Sequence, residues 1–193
     1  MPDNALDYDG LGDWFDAHYR NRGDRLFRLE TLPAYAVDDD GEDFRRWVAG
    51  ATEPTWSRKQ PVLDGLREEH EAGLIAERVR IFTDRLTDYE RYACEFGYAY
   101  NSRFEDIRVL RHGEHPIPHD LRMVDFWLAQ DGDGVHVALM HYDETGRFLG
   151  AEAVTAPAEL AAYRATRDDL LAAAVPFTTW WARHPELHRR RAA

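Results

Sequence analysis

"MVDFWLAQDGDGVHVALMHYDETGRFLGAEAV", residues 123–154, decides the fold. Three short runs rich in β-branched and aromatic residues alternate apolar with polar side chains, and the turn segments DGDG and ETG separate them. Strands joined by so few residues run up and down beside one another, so the stretch predicts an antiparallel meander. The second turn also sets a register. Asp143-Glu144-Thr145-Gly146 fits a type I turn followed by a left-handed glycine, which pairs Asp143 with Arg147, His141 with Leu149 and Leu139 with Ala151.

On that register one face carries Val135, Val137, Leu139 and His141 with Leu149, Ala151 and Ala153, joined by Val124, Phe126 and Leu128. Its aliphatic character marks it as the face beneath the helices. The opposite face carries Asp125, Trp127, Met140, Tyr142 and Phe148. An aromatic surface of this kind either docks a partner or lies under another helix, with TTWWARH (178–184) as the available cover. Asp125, Trp127, Tyr142 and Phe148 are therefore the candidate partner-binding residues.

Upstream, DRLFRLETL (24–32), ERVRIFTD (77–84) and EDIRVLR (105–111) read as strands. Helices are expected over VDDDGEDFRRWVAG (37–50), from about Lys59 to Gly73, and over TDYERYACEFGYAY (87–100), where Thr87 and Glu90 form a capping-box pattern. A short helix carrying Trp14, Phe15 and Tyr19 precedes them, and a helix over 158–175 follows the meander. The expectation is one α+β domain over residues 1–193, with mobile ends at 1–10 and 186–193. Its antiparallel sheet has about five or six strands with a C-terminal meander, and helices pack mainly on one face.

A chain of 193 residues, 44% hydrophobic and 31% charged, is long enough to bury a real core. Its formal net charge of −12 repels a phosphate backbone, so no direct nucleic-acid binding is expected. No long apolar run and no leader appear, so a cytoplasmic protein that does not span a membrane is expected. Cys94 is the single cysteine; it falls among aromatics on a helix and reads as packing.

Candidate chemistry is sparse. His141 and Asp143 could form a base and its orienting carboxylate, although a histidine at a core rim more often makes a structural hydrogen bond. Arg91 and Arg108 could hold an anionic group, or belong to an internal salt-bridge network with Arg78, Arg80, Glu105 and Asp106. HGEHPIPHD (112–120) offers His112, Glu114, His115, His119 and Asp120, but its prolines make an extended loop, so no metal and no cofactor is expected. DGDG lacks the later ligands of a calcium loop and reads as a turn.

RVRIFTDRLTDYERYACEFGYAYN, EDIRVL, DFWL and MHYDETGRFLGAE together resemble an uncharacterised family of small acidic actinobacterial proteins, known only as a domain of unknown function. The likeness extends upstream through LFRLETLPAY and DFRRWVAG, over roughly residues 24–175. Members are often encoded beside helix-turn-helix regulators. The resemblance implies a regulatory or partner-binding role and brings no catalytic residues with it. The functional expectation is a non-catalytic interaction module accessory to a DNA-binding regulator, with a homodimer as a further use of the aromatic face. The alternative is a small-molecule-binding protein or an enzyme acting on an anionic substrate with His141 as general base.

Overall fold

The computed structural model describes residues 4–36, 38–118 and 122–189. Strand β1 (Ala5–Leu6) and helix α1 (Tyr8–His18) lead into β2 (Arg25–Glu30), α2 (Asp38–Val48), α3 (Trp56–Ala72) and β3 (Ile75–Phe82). A continuous helix follows, made of α4 (Asp88–Tyr92), a π-helical turn (Ala93–Tyr98) and α5 (Ala99–Asn101). Then come β4 (Asp106–Arg111), β5 (Phe126–Gln130), β6 (Val135–Tyr142), β7 (Phe148–Val154), α6 (Pro157–Ala173), β8 (Val175–Pro176) and α7 (Phe177–Arg183).

The α+β class and the β5–β6–β7 meander are as expected, but the sheet is not purely antiparallel. It has eight strands in the order β1-β7-β6-β5-β2-β3-β4-β8, and β2, β3 and β4 run parallel to one another. The reason is connectivity. Helices α2 and α3 return the chain between β2 and β3, and the helix over 88–101 returns it between β3 and β4, as parallel neighbours require. The extra strands are β1 and β8, two residues each and too short to show alternation.

Helices cover both faces of the sheet, a second departure. On one face α6 sets Tyr163 and Leu170 against Phe27, Leu29, Val79, Ile81, Phe126, Leu128 and Val137. On the other, α1 lays Leu11 and Trp14 over Ala129, Ala138 and Ala151, with Trp127, Met140 and Phe148 packed alongside. Further along that face Cys94 and Tyr98 of the π-helical turn, with Phe177 and Trp180 of α7, cover Phe82, Ile107 and Val109. Burial at about 25 cal/mol per Å² of apolar surface makes these two layers the main source of stability.

The hairpin register also shifts. Asp143 meets Arg147 as expected, but a bulge at Leu149, between the His141 and Tyr142 pairings, sets His141 opposite Gly150 and Leu139 opposite Glu152. Leu149 is thereby left 66% exposed, and Ala151 and Ala153 move to the face of Ala138 and Met140. Where mobile ends were expected, residues 5–6 pair with β7 and the Asp7 carboxylate accepts from the Gly10 amide at 2.9 Å. At the other end Leu187 is buried and the Arg189 amide donates to Glu95 at 2.7 Å.

Candidate functional site

The helix over 88–101 begins where the sequence placed it. Thr87 and Glu90 form both bonds of the capping box, and the Glu90 carboxylate also accepts from the Thr83 amide at 3.0 Å and the Thr83 hydroxyl at 2.7 Å. This helix packs on two sides. Cys94 and Tyr98 face the sheet, while Tyr89, Tyr92 and Phe96 pack on Phe44 and Trp47 of α2. Sandwiched in this way, the helix widens into its π-helical turn, a local irregularity frequent at functional sites.

Beneath that turn lies a cavity of about 570 Å³, within the size range of small-molecule sites. Arg28, Glu30 and Arg78 of the sheet line it, with aromatic walls from Tyr35, Tyr89, Tyr92, Phe96 and Tyr98. Arg58 and Lys59 of α3 and Asp43 of α2 close it from outside. Gly97 leaves its own side open, since a Cβ there would meet nothing within 4 Å. Lys59 Nζ donates to Asn101 Oδ1 at 2.7 Å, tying α3 to the end of the bulged helix.

The sheet-side charges are arranged with their partners built in. Glu30 pairs with Arg28 at 3.0 Å and accepts from Arg78 at 3.0 Å and from the Tyr98 hydroxyl at 2.7 Å. Burial alone would raise the Glu30 carboxyl; Arg28, Arg78, Arg80 and the Tyr98 bond outweigh it and hold the group well below the usual carboxylate range. Arg78 is shared with Glu105 at 2.7 Å, and Arg28 lies over the Trp127 ring at 4.9 Å. Four cations and two carboxylates line the cavity, in a protein of net charge −12, and Glu42 and Glu105 pair with Arg58 and Arg78 from beyond the lining. Such a space can bind an anion with an apolar or aromatic body.

Residues 13–182 match the family described as a domain of unknown function, DUF6879. The chain belongs to that family. No curated protein and no solved structure matches it significantly.

In this DUF6879 chain the residues singled out from sequence do not assemble as expected. His141 has a side chain 54% exposed, and its nearest acidic partner is Glu152 at 3.8 Å. Asp143 instead caps the hairpin turn, accepting from the Thr145 amide at 2.8 Å and the Arg147 amide at 3.0 Å, so no His141–Asp143 dyad forms. Arg91 and Arg108 do not converge either. Arg108 projects on the α6 side, bonded to Asp106 and to the Leu171 carbonyl at 3.0 Å, whereas Arg91 belongs to the helix on the opposite face.

The expected docking face is occupied from within the chain. Phe15 of α1 packs edge-on against Trp127 with centroids 5.0 Å apart, and Tyr35 meets Tyr142 at 5.4 Å. Phe148 packs in the α1 cluster. Asp125 is buried, accepting from the Thr31 amide at 2.8 Å, the Thr31 hydroxyl at 2.6 Å and the Tyr35 hydroxyl. The cover is α1; α7 with TTWWARH lies on the same face but over β4.

Cys94 is fully buried, and burial pushes its thiol well up, in keeping with a packing role. In the HGEHPIPHD loop Glu114 accepts from the Trp180 indole at 3.1 Å and pairs with His184 at 3.0 Å, latching the loop to α7. His119 and Asp120 lie outside the described residues. Sequence reasoning missed the cavity, whose lining comes from β2, α2, α3, β3 and the bulged helix. It also passed over a cluster of His18, Asp131 and His136. His18 and Asp131 are 113 positions apart, and no local spacing joins them.

Proposed function

We propose that the protein binds a small anionic molecule with an aromatic or apolar body in the cavity beneath the π-helical turn. The observation that carries this reading is the aromatic-walled cavity lined by Arg28, Arg58, Lys59 and Arg78 in an otherwise acidic chain. Arginine presents a planar fork suited to carboxylate or phosphate, and the tyrosine and phenylalanine walls suit a ring. With His141 exposed and away from Asp143, the reading is of a receptor rather than a catalyst.

The test is thermal unfolding with 1-naphthyl phosphate, 1-naphthol and inorganic phosphate. The account expects 1-naphthyl phosphate to raise Tm more than either half-molecule, and the rise to shrink in Arg28→Met and Lys59→Met. Equal responses to all three probes, or a response untouched by both substitutions, would contradict it.

A role as cytoplasmic accessory to a helix-turn-helix regulator is the second reading, supported by the family resemblance and by where apolar surface remains. Val48, Trp56 and Val62, on α2 and α3, are exposed at 60%, 41% and 52%. A partner docking on these helices would sit over the cavity and feel its occupancy. Among the described residues no helix is long and apolar enough to cross a membrane. Co-purification with a regulator encoded beside the gene, lost in a Trp56→Ser/Val62→Ser double variant that keeps its fold, is the expected result.

A further inference from the structure

Helix α1 ends on His18, the β5–β6 turn supplies Asp131, and β6 begins with Val135 and His136. His18 Nδ1 stands 3.3 Å from one Asp131 oxygen, and His136 Nε2 stands 3.2 Å from the other. The two imidazoles stack with centroids 3.6 Å apart and planes 13° from parallel. One ligand atom from each of the three residues lies within 4.8 Å of the others. All three side chains are partly shielded, with Asp131 at 9% exposure and the histidines at 26% and 27%.

We infer that these three residues form a binding site for a zinc-class divalent cation, with His18 Nδ1, His136 Nε2 and an Asp131 oxygen as ligands. A tetrahedral ion about 2.0–2.2 Å from each ligand holds those ligands about 3.4 Å apart. Each His-to-Asp separation is close to that length but is made to a different Asp131 oxygen, so an ion needs the stacked imidazoles to turn out of the stack and bring both nitrogens toward one oxygen. Two imidazoles and one carboxylate are borderline donors that suit zinc, cobalt or nickel, not the all-oxygen shell that calcium or magnesium takes.

The surroundings fix the ligands as metal sites require. The Asp131 oxygen nearest His136 also accepts from the Asp133 amide at 2.8 Å and the Gly134 amide at 2.9 Å, so the turn orients the carboxylate. Trp14 packs edge-on against the His18 ring, with centroids 5.5 Å apart, and limits its rotation. Three protein ligands leave a fourth position for water. An ion here would pin α1, which covers the aromatic sheet face, to the β5–β6 turn.

The competing account is a hydrogen-bonded His–Asp–His network that binds no ion, and metal titration separates the two. Full-length protein stripped with a chelator is titrated with Zn²⁺ against a competing chelator, and with Co²⁺ while visible absorption is recorded. One ion per chain, with micromolar or tighter affinity and the absorption of four-coordinate cobalt, is expected. His18→Ala and His136→Ala each weaken binding by at least about tenfold. Asp131→Asn, whose amide oxygen can still accept from the turn, weakens it with the turn kept. His115→Ala leaves it unchanged. Failure of the stripped protein to bind Zn²⁺ at micromolar concentration overturns the site, and so does binding that persists in the His18→Ala/His136→Ala double variant.

Discussion

Glu30 shows how a charge is kept inside this fold. Its carboxylate, 5% exposed, is enclosed by Arg28, Arg78 and Tyr98, and removing one member of such a buried set leaves the rest uncompensated. Glu30→Gln is therefore expected to lower stability by about 3 kcal/mol in urea unfolding. The same group sets a pH dependence. Its folded value lies below its ordinary 4.5, so its contribution is fully present above about pH 4.5 and is lost as pH falls further. Acid titration of Tm in the wild type should fall more steeply below that point than in Glu30→Gln; identical acid limbs would sink the assignment. Asp125 moves the other way: burial raises it, and the Thr31 and Tyr35 bonds only partly offset that, so its ionisation weakens the fold.

At the scale of elements, the β6–β7 turn docks the meander onto the loop that carries Tyr35. Gly146 has φ +81°, its carbonyl accepts from the Ala36 amide at 3.0 Å, and a Cβ there would lie 2.5 Å from the Ala34 carbonyl oxygen. Gly146→Ala should cost about 2 kcal/mol or more, combining left-handed strain with a backbone clash. In the β5–β6 turn Gly132 has open space and no positive φ, and its alanine variant should differ little from wild type. The capping box gives a smaller effect: Thr87→Ala should cost about 1 kcal/mol, read by the same denaturation series.

Elements were also the most legible level. Alternation in LFRL, FWLAQ and VHVALMH, the capping box and the glycine stops marked strands and helices close to their observed bounds. The bulge was not legible, because Leu149 and Gly150 fit either register until β1 fixes the edge of β7. The parallel core had a signal: strand, helices, strand, helix, strand over residues 25–111 is the pattern of parallel crossovers. The meander's stronger local alternation masked it.

For the whole molecule, a sheet covered on both faces keeps its charges where the crossover helices stand away from it. That is why the candidate site was hidden from sequence reasoning. Arg28, Glu30, Lys59, Arg78 and Gly97 span 70 positions and share no motif; parallel pairing of β2 with β3 is what sets Arg28 beside Arg78. Where residues were singled out by proximity in sequence, as His141 and Asp143 were, the turn's own hydrogen bonds took up the Asp143 carboxylate.

Gly97 offers the cleanest probe of that site. A leucine there projects into open space, keeps every charge, and replaces the poorest helix former after proline, so folding should be unharmed. The decisive measurement is calorimetric titration of 1-naphthyl phosphate into wild type and Gly97→Leu. Saturable binding to the wild type, weakened at least tenfold in a variant of undiminished Tm, is the predicted result. No binding to the wild type, or equal affinity for both proteins, would contradict an anion receptor beneath the π-helical turn.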